Sequence, residues 1–220
     1  MAKLNAVSFL VAAALLVALV SAGDPGSIND FCVADLKSTL LFNGLACKSS
    51  AMVTSADFTF TGFRADAATN NPFGIGLIPG FAAVNYPALN TQGLSLAKIN
   101  YAKGGLVSPH THPRAAELIT VVKGTVYVGF VDTAGKLYAA WLKKDDFFLF
   151  PQGVVHFILN GATPSTTLSI LNAQNPGIQL VAPALFGSSP PIESPLLAKA
   201  FGTSVATVDA IKKVFQPAAP

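Results

Sequence analysis

The whole chain holds three histidines, and two of them, His110 and His112, lie one residue apart in the stretch SPHTHPRAAELITVV. Glu117, one of only two glutamates, follows in the same stretch. In an extended strand alternate side chains share a face, so His110 and His112 point the same way. Pro109 and Pro113 flank the pair and suggest an edge, or a loop entering a strand. Glu117 opens the apolar run LITVV, where a lone ionised carboxylate is very costly unless it is paired or bound to a metal. The third histidine, His156, sits in VVHFILN, another apolar β-type run. Brought together inside a small barrel, three neutral imidazoles and one carboxylate suit a divalent ion of borderline to hard character, since no thiolate favours a soft one. On a six-coordinate ion this set leaves open positions for water or an oxygen ligand, and four-coordinate zinc stays open as the alternative. An HxH pair alone is more often a surface or hydrogen-bonded pair. The expectation of a metal site rests on Glu117 and His156 joining it.

A β framework must position these residues. GLSLAKINY, ELITVVKG, TVYVGFVD, LYAAWL, DFFLF, VVHFILN and TTLSILNA are short β-type runs separated by turn residues, the pattern of an antiparallel sandwich or barrel. VDTAGKLY reads as a hairpin. The tail offers two short helices, one near Pro195 and one from about Ser204, with Ser204 as N-cap and Lys212 and Lys213 in the last turn. Val205, Val208, Ile211 and Phe215 fall at helical spacing on the second, a stripe that needs cover from its own barrel or from a neighbouring subunit. Trp141, Phe147 and Phe148 read as core aromatics rather than as a ligand cage. The expected organisation is a signal peptide at 1–22, an arm at 23–50, a barrel at 51–185 and a helical tail at 186–220.

The first segment carries Lys3, a long apolar run and the small residues of VSA before Gly23, which read as a secretory signal; an uncleaved anchor is the alternative. Cleavage implies an exported, soluble chain with no membrane attachment. The full chain has net charge +3, and losing Lys3 leaves 13 basic against 11 acidic residues. That balance, with no basic cluster longer than two, argues against nucleic acid as a partner. Cys32 and Cys47 are the only cysteines. In an exported chain they read as a disulfide, worth about 3 kcal/mol for a loop of about 15 residues; free buried thiols or half a metal site are the alternatives. No Asn-x-Ser/Thr sequon occurs, so no N-glycan is expected.

The ligand stretch resembles the first cupin motif of the plant germin family, Gly-x5-His-x-His-x4-Glu-x6-Gly, met by Gly104, His110, His112, Glu117 and Gly124. The second motif is met by Pro151, Gly153, His156 and Asn160, with Asp145 where the family has its leading glycine. DFCVADL, the two cysteines, HPRAAE, QNPG and LFGSSPPI extend the resemblance over the chain after the first segment. It implies a cupin β-jellyroll barrel, all-β with C-terminal helices. It also implies one manganese ion per subunit held by His110, His112, Glu117 and His156, and a homo-hexamer, a trimer of dimers, in the cell-wall space. The tail helices would then serve subunit contacts.

Some germins oxidise oxalate, and many relatives dismute superoxide. Oxalate-oxidising members present asparagines at the positions held here by Ala97 and Val107, which cannot donate to a dicarboxylate, so oxalate oxidation is disfavoured. Superoxide, a small anion, is the expected substrate. The alternatives are a non-catalytic wall or binding protein that takes an auxin-like carboxylate, and, ranked low, nucleotide-sugar phosphodiesterase activity. Ala97, Val107 and Asn160 are expected at the pocket, and for Asn160 the preferred role there is to satisfy backbone near His156. Arg114 is expected in an interface salt bridge rather than on substrate.

Overall fold

The computed structural model describes residues 29–40 and 44–215. The signal-peptide reading of 1–22 lies outside the described residues. Ten strands follow in chain order: β1 (Ile75–Gly80), β2 (Ser95–Tyr101), β3 (Leu106–Thr111), β4 (Glu117–Lys123), β5 (Thr125–Val131), β6 (Leu137–Lys143), β7 (Phe147–Phe150), β8 (Val155–Asn160), β9 (Ser165–Leu171) and β10 (Gln179–Leu180). They form two five-stranded antiparallel sheets, β1-β2-β9-β4-β7 and β10-β3-β8-β5-β6. This is the jellyroll expected from the sequence.

Period-two alternation builds the interior. In β5, Val126 and Val128 are fully buried between less buried neighbours, and in β4 Glu117, Ile119 and Val121 turn inward. The apolar ones among these side chains join Ile99, Tyr101, Phe150 and Ile158 in one core between the sheets. The same alternation decides the aromatics expected to be core. Leu142 takes the inward position of β6, so its neighbour Trp141 is 57% exposed on the outer face, where it packs beside Tyr127. Phe148 packs against the core and Phe147 faces out. Of these three, only Phe148 belongs to the interior.

The segment before β1 is not extended. Three 3-10 turns occupy Ser50–Met52, Ser55–Phe58 and Gly62–Arg64. Local polar bonds stabilise the middle one: Thr54 N–H donates to Asp57 Oδ2 at 2.8 Å and captures backbone a strand ladder would otherwise use. Cys32 and Cys47 form a disulfide, and the arm it closes docks through Ala34 N–H on the Pro87 carbonyl at 3.0 Å.

Three helices follow β10 among the described residues: α1 (Val181–Phe186), absent from the sequence reading, α2 (Ser194–Phe201) and α3 (Val205–Phe215). Ser204 caps α3, its Oγ accepting from Thr207 N–H at 3.1 Å. The stripe is narrower than its spacing suggests. Val208 is fully buried against Leu197 and Ala198 of α2, while Val205 is exposed. Cover for Val208 therefore comes from within the chain. No helix among the described residues is long and apolar enough to cross a membrane.

Candidate metal centre

A one-residue irregularity in β3 aims the histidines. Val107 pairs with Ile158 and His110 with His156, so three steps along β3 match two along β8. Ser108 and Pro109 occupy this β-bulge, where a proline removes no ladder bond. In a regular strand, Val107 and His110 would face opposite sides. The bulge turns both inward, and His112 follows at the strand's end. Pro109 thus belongs to a bulge in an internal strand rather than to an edge, and Pro113 to the turn between β3 and β4.

One ligand atom from each of His110, His112, Glu117 and His156 lies within 4.8 Å of the others. All four side chains are buried. Glu117 starts β4, and its Oε2 stands 3.0 Å from His112 Nε2 and 3.3 Å from His156 Nε2. Phe150, paired with Glu117 across β4 and β7, stacks on the His156 ring at 4.4 Å and holds it flat.

The outward nitrogens fix the tautomers. His110 Nδ1 meets the Ser108 carbonyl at 2.9 Å, His156 Nδ1 the Val154 carbonyl at 3.0 Å, and His112 Nδ1 the Gly177 carbonyl. A carbonyl only accepts, so each Nδ1 carries the proton, and a neutral ring then turns the bare Nε2 inward. Two such lone pairs confront the Glu117 carboxylate. That arrangement is repulsive unless a cation, a proton or a metal ion, lies between them. Imidazole and carboxylate donors with no thiolate suit a borderline or hard divalent ion, so the residues fit a metal.

The titration behaviour agrees. Burial, aided by the nearby His156, pushes His110 down to about 4, so it stays neutral. Burial works to push His112 down as well, but its bond to Glu117 and that group's charge win and hold it above its ordinary value. Burial works to raise Glu117, yet its bonds to His112, His156 and Ser169 hold it well below the usual carboxylate range. Ser169 Oγ donates to Glu117 Oε1 at 2.5 Å from the inward face of β9. The sequence reading missed Ser169. Its signal was the run of small polar residues in STTLSIL, of which Ser165, Thr167 and Ser169 share one face of the strand and are buried.

A cavity of about 340 Å³ opens onto His110, His112 and Glu117. Its walls are mainly apolar, with Phe73, Ile75, Phe81, Ile99, Ile178 and Leu180 among them. Ala97 and Val107 are on this wall and offer no side-chain donor. Asn160 is placed elsewhere: it ends β8, four residues beyond His156, and its amide donates to the Ala102 and Thr163 carbonyls at 2.6 and 2.8 Å. Arg114 donates to Asn175 of its own chain.

The profile of the cupin family matches residues 63–209. The chain is 50% identical to germin-like protein subfamily 2 member 1 of Arabidopsis thaliana over 198 residues, 90% of each chain. It is 45% identical to germin-like protein 5-1 of Oryza sativa subsp. japonica over 212 residues, covering 94% of this chain and 95% of the relative. A solved structure of an oxalate oxidase in complex with the substrate analogue glycolate superposes with a TM-score of 0.84 at 35% identity, covering 87% of this chain and 98% of that one. Fold, buried donor set and relatives agree: the chain belongs to the germin-like proteins of the cupin family.

Proposed function

We propose that the chain is a secreted, manganese-dependent superoxide dismutase of the extracellular and cell-wall space, one ion per subunit in a homo-hexamer, that supplies hydrogen peroxide for defence or wall cross-linking. The observation that carries the metal reading is the pair of bare Nε2 atoms turned on one buried carboxylate. His110, His112, Glu117 and His156 would hold the ion. Bound there, manganese supplies one-electron exchange between its divalent and trivalent states. The chain's own residues do the rest. The backbone carbonyls of Ser108, Val154 and Gly177 hold the proton of each neutral ring on Nδ1, so that each Nε2 is turned inward as a lone-pair donor. Ser169 holds the carboxylate ionised and turned. The apolar wall leaves room for a small anion while presenting no donor at Ala97 or Val107 to orient a dicarboxylate. Overall, two superoxide ions and two protons give dioxygen and hydrogen peroxide.

Assays on the manganese-loaded protein test this. Superoxide is consumed, oxalate yields no peroxide, and His112→Ala loses metal and activity together. Undiminished dismutation by His112→Ala refutes the assignment.

The apolar cavity favours a second reading, capture of a carboxylate carrying an aromatic or aliphatic body without turnover. Saturable binding of an indole acid, abolished by metal removal, in a protein inert towards superoxide would select it.

A further inference from the structure

The three imidazoles are not held alike. His110 and His156 each donate Nδ1–H to a carbonyl two residues earlier on their own segment, Ser108 and Val154, so the local backbone sets their orientation. His112 has no such partner; its Nδ1 meets the carbonyl of Gly177, 65 residues away in sequence. The orientation of His112 therefore depends on whatever holds the Asn175–Ile178 turn in place.

Arg114, two residues beyond His112, grips that turn. Its Nε donates to the Asn175 carbonyl at 2.7 Å and its Nη2 to Asn175 Oδ1 at 2.9 Å, while its backbone N–H donates to the Pro176 carbonyl at 3.2 Å. Gly177 lies directly against the guanidinium: a Cβ there would sit 3.0 Å from Nη2 and 3.3 Å from both Cζ and Pro113 Cδ. Its φ of +68° also favours glycine. On the far side the chain enters β10, whose Leu180 pairs with His110. Asn175, Pro176, Gly177 and Ile178 also line the cavity, so the same turn forms part of its wall.

We propose that Arg114 is a positioning residue: its fork on Asn175 holds the Gly177 carbonyl against His112 and so presents His112 Nε2 to the ion. The proposal rests on the metal reading above for its consequence, but not for its first readout. Two donors in fixed geometry do the holding, so lysine, a point charge on a flexible stem, does not replace them.

The test uses the full chain with nitrogen-15 histidine, whose three imidazoles give a readable spectrum. In the metal-free wild type at alkaline pH all three rings show the Nδ1–H tautomer. In Arg114→Gln and in Arg114→Lys, His112 alone shifts towards Nε2–H, and Mn(II) affinity falls by about tenfold or more, the scale for partners that orient a ligating histidine. Arg114 is exposed, so both variants should fold. An unchanged His112 signal, restoration by lysine, or a joint shift of all three rings overturns the proposal. Wild-type protein that binds no Mn(II), with the selective His112 shift intact, sinks the metal reading and leaves the positioning role standing. Equal Mn(II) affinity in wild type and Arg114→Gln does the reverse.

Discussion

Ser169→Ala isolates one hydrogen bond at the centre of the site. Ser169 Oγ donates to Glu117 Oε1 at 2.5 Å, and both groups are buried. A buried bond to a charged acceptor contributes about 1.5–3 kcal/mol. Alanine removes the donor and leaves a carboxylate oxygen without it, so the metal-free protein should lose stability on that scale. The same bond keeps the carboxylate ionised and turned with Oε2 towards His112 and His156. Metal affinity falls by as much as the bond is worth more in the loaded protein than in the metal-free one, and removal of outer partners at metal sites costs about 10–100-fold. The assay is chelator competition against Mn(II) at neutral pH, with denaturant unfolding of the metal-free proteins alongside. Thr167→Val is the control. Its hydroxyl meets Tyr101 at 3.0 Å two residues along the same strand, so it should cost stability and leave affinity intact. A folded Ser169→Ala protein with affinity within about twofold of wild type would refute the reasoning.

His110 stays neutral down to about 4, while in the unfolded chain it takes a proton near 6.5, so its contribution falls as pH drops through that window, by up to about 3 kcal/mol; the stability gap between metal-free wild type and His110→Phe should shift by that order between pH 7 and pH 4.5, and parallel curves would contradict it. Asp145 replaces the motif glycine at φ +70° and its side chain makes only an exposed contact to Lys144, so Asp145→Gly should stabilise by up to about 1 kcal/mol in thermal melts. Replacing Cys32 and Cys47 by serine should cost about 3 kcal/mol in denaturant, without altering metal affinity, since the arm docks on the Pro87 turn away from the histidines.

Much of this was legible in the residues because strand parity is a strong signal. The alternation of ELITVVKG and TVYVGFVD fixes which side chains face inward, and it carries Glu117 into the core with Ile119 and Val121. Parity also shows why Trp141 had to face out once Leu142 faced in. Spacing alone could not supply the β3 bulge, because a bulge exists only relative to the partner strand, and it is the register with β8 that puts Val107 and His110 on one side. The Gly177 carbonyl and the Ser169 hydroxyl were hidden for a related reason. Each reaches its ligand across more than 50 residues of chain, a closure that only the folded sheets bring about. In β1, IGLIPG lacks the polar alternation that marked the other strands, and α1 contains a proline, so local pattern missed both.

The central claim is that three imidazoles and one carboxylate share an ion. Metal content per chain, measured by elemental analysis on protein purified without chelators, tests it most directly when wild type is compared with His156→Gln. The account predicts one manganese per wild-type chain and a loss of at least nine-tenths of it in the variant. Wild-type protein with no stoichiometric ion, or a His156→Gln protein that keeps its full complement, would contradict it.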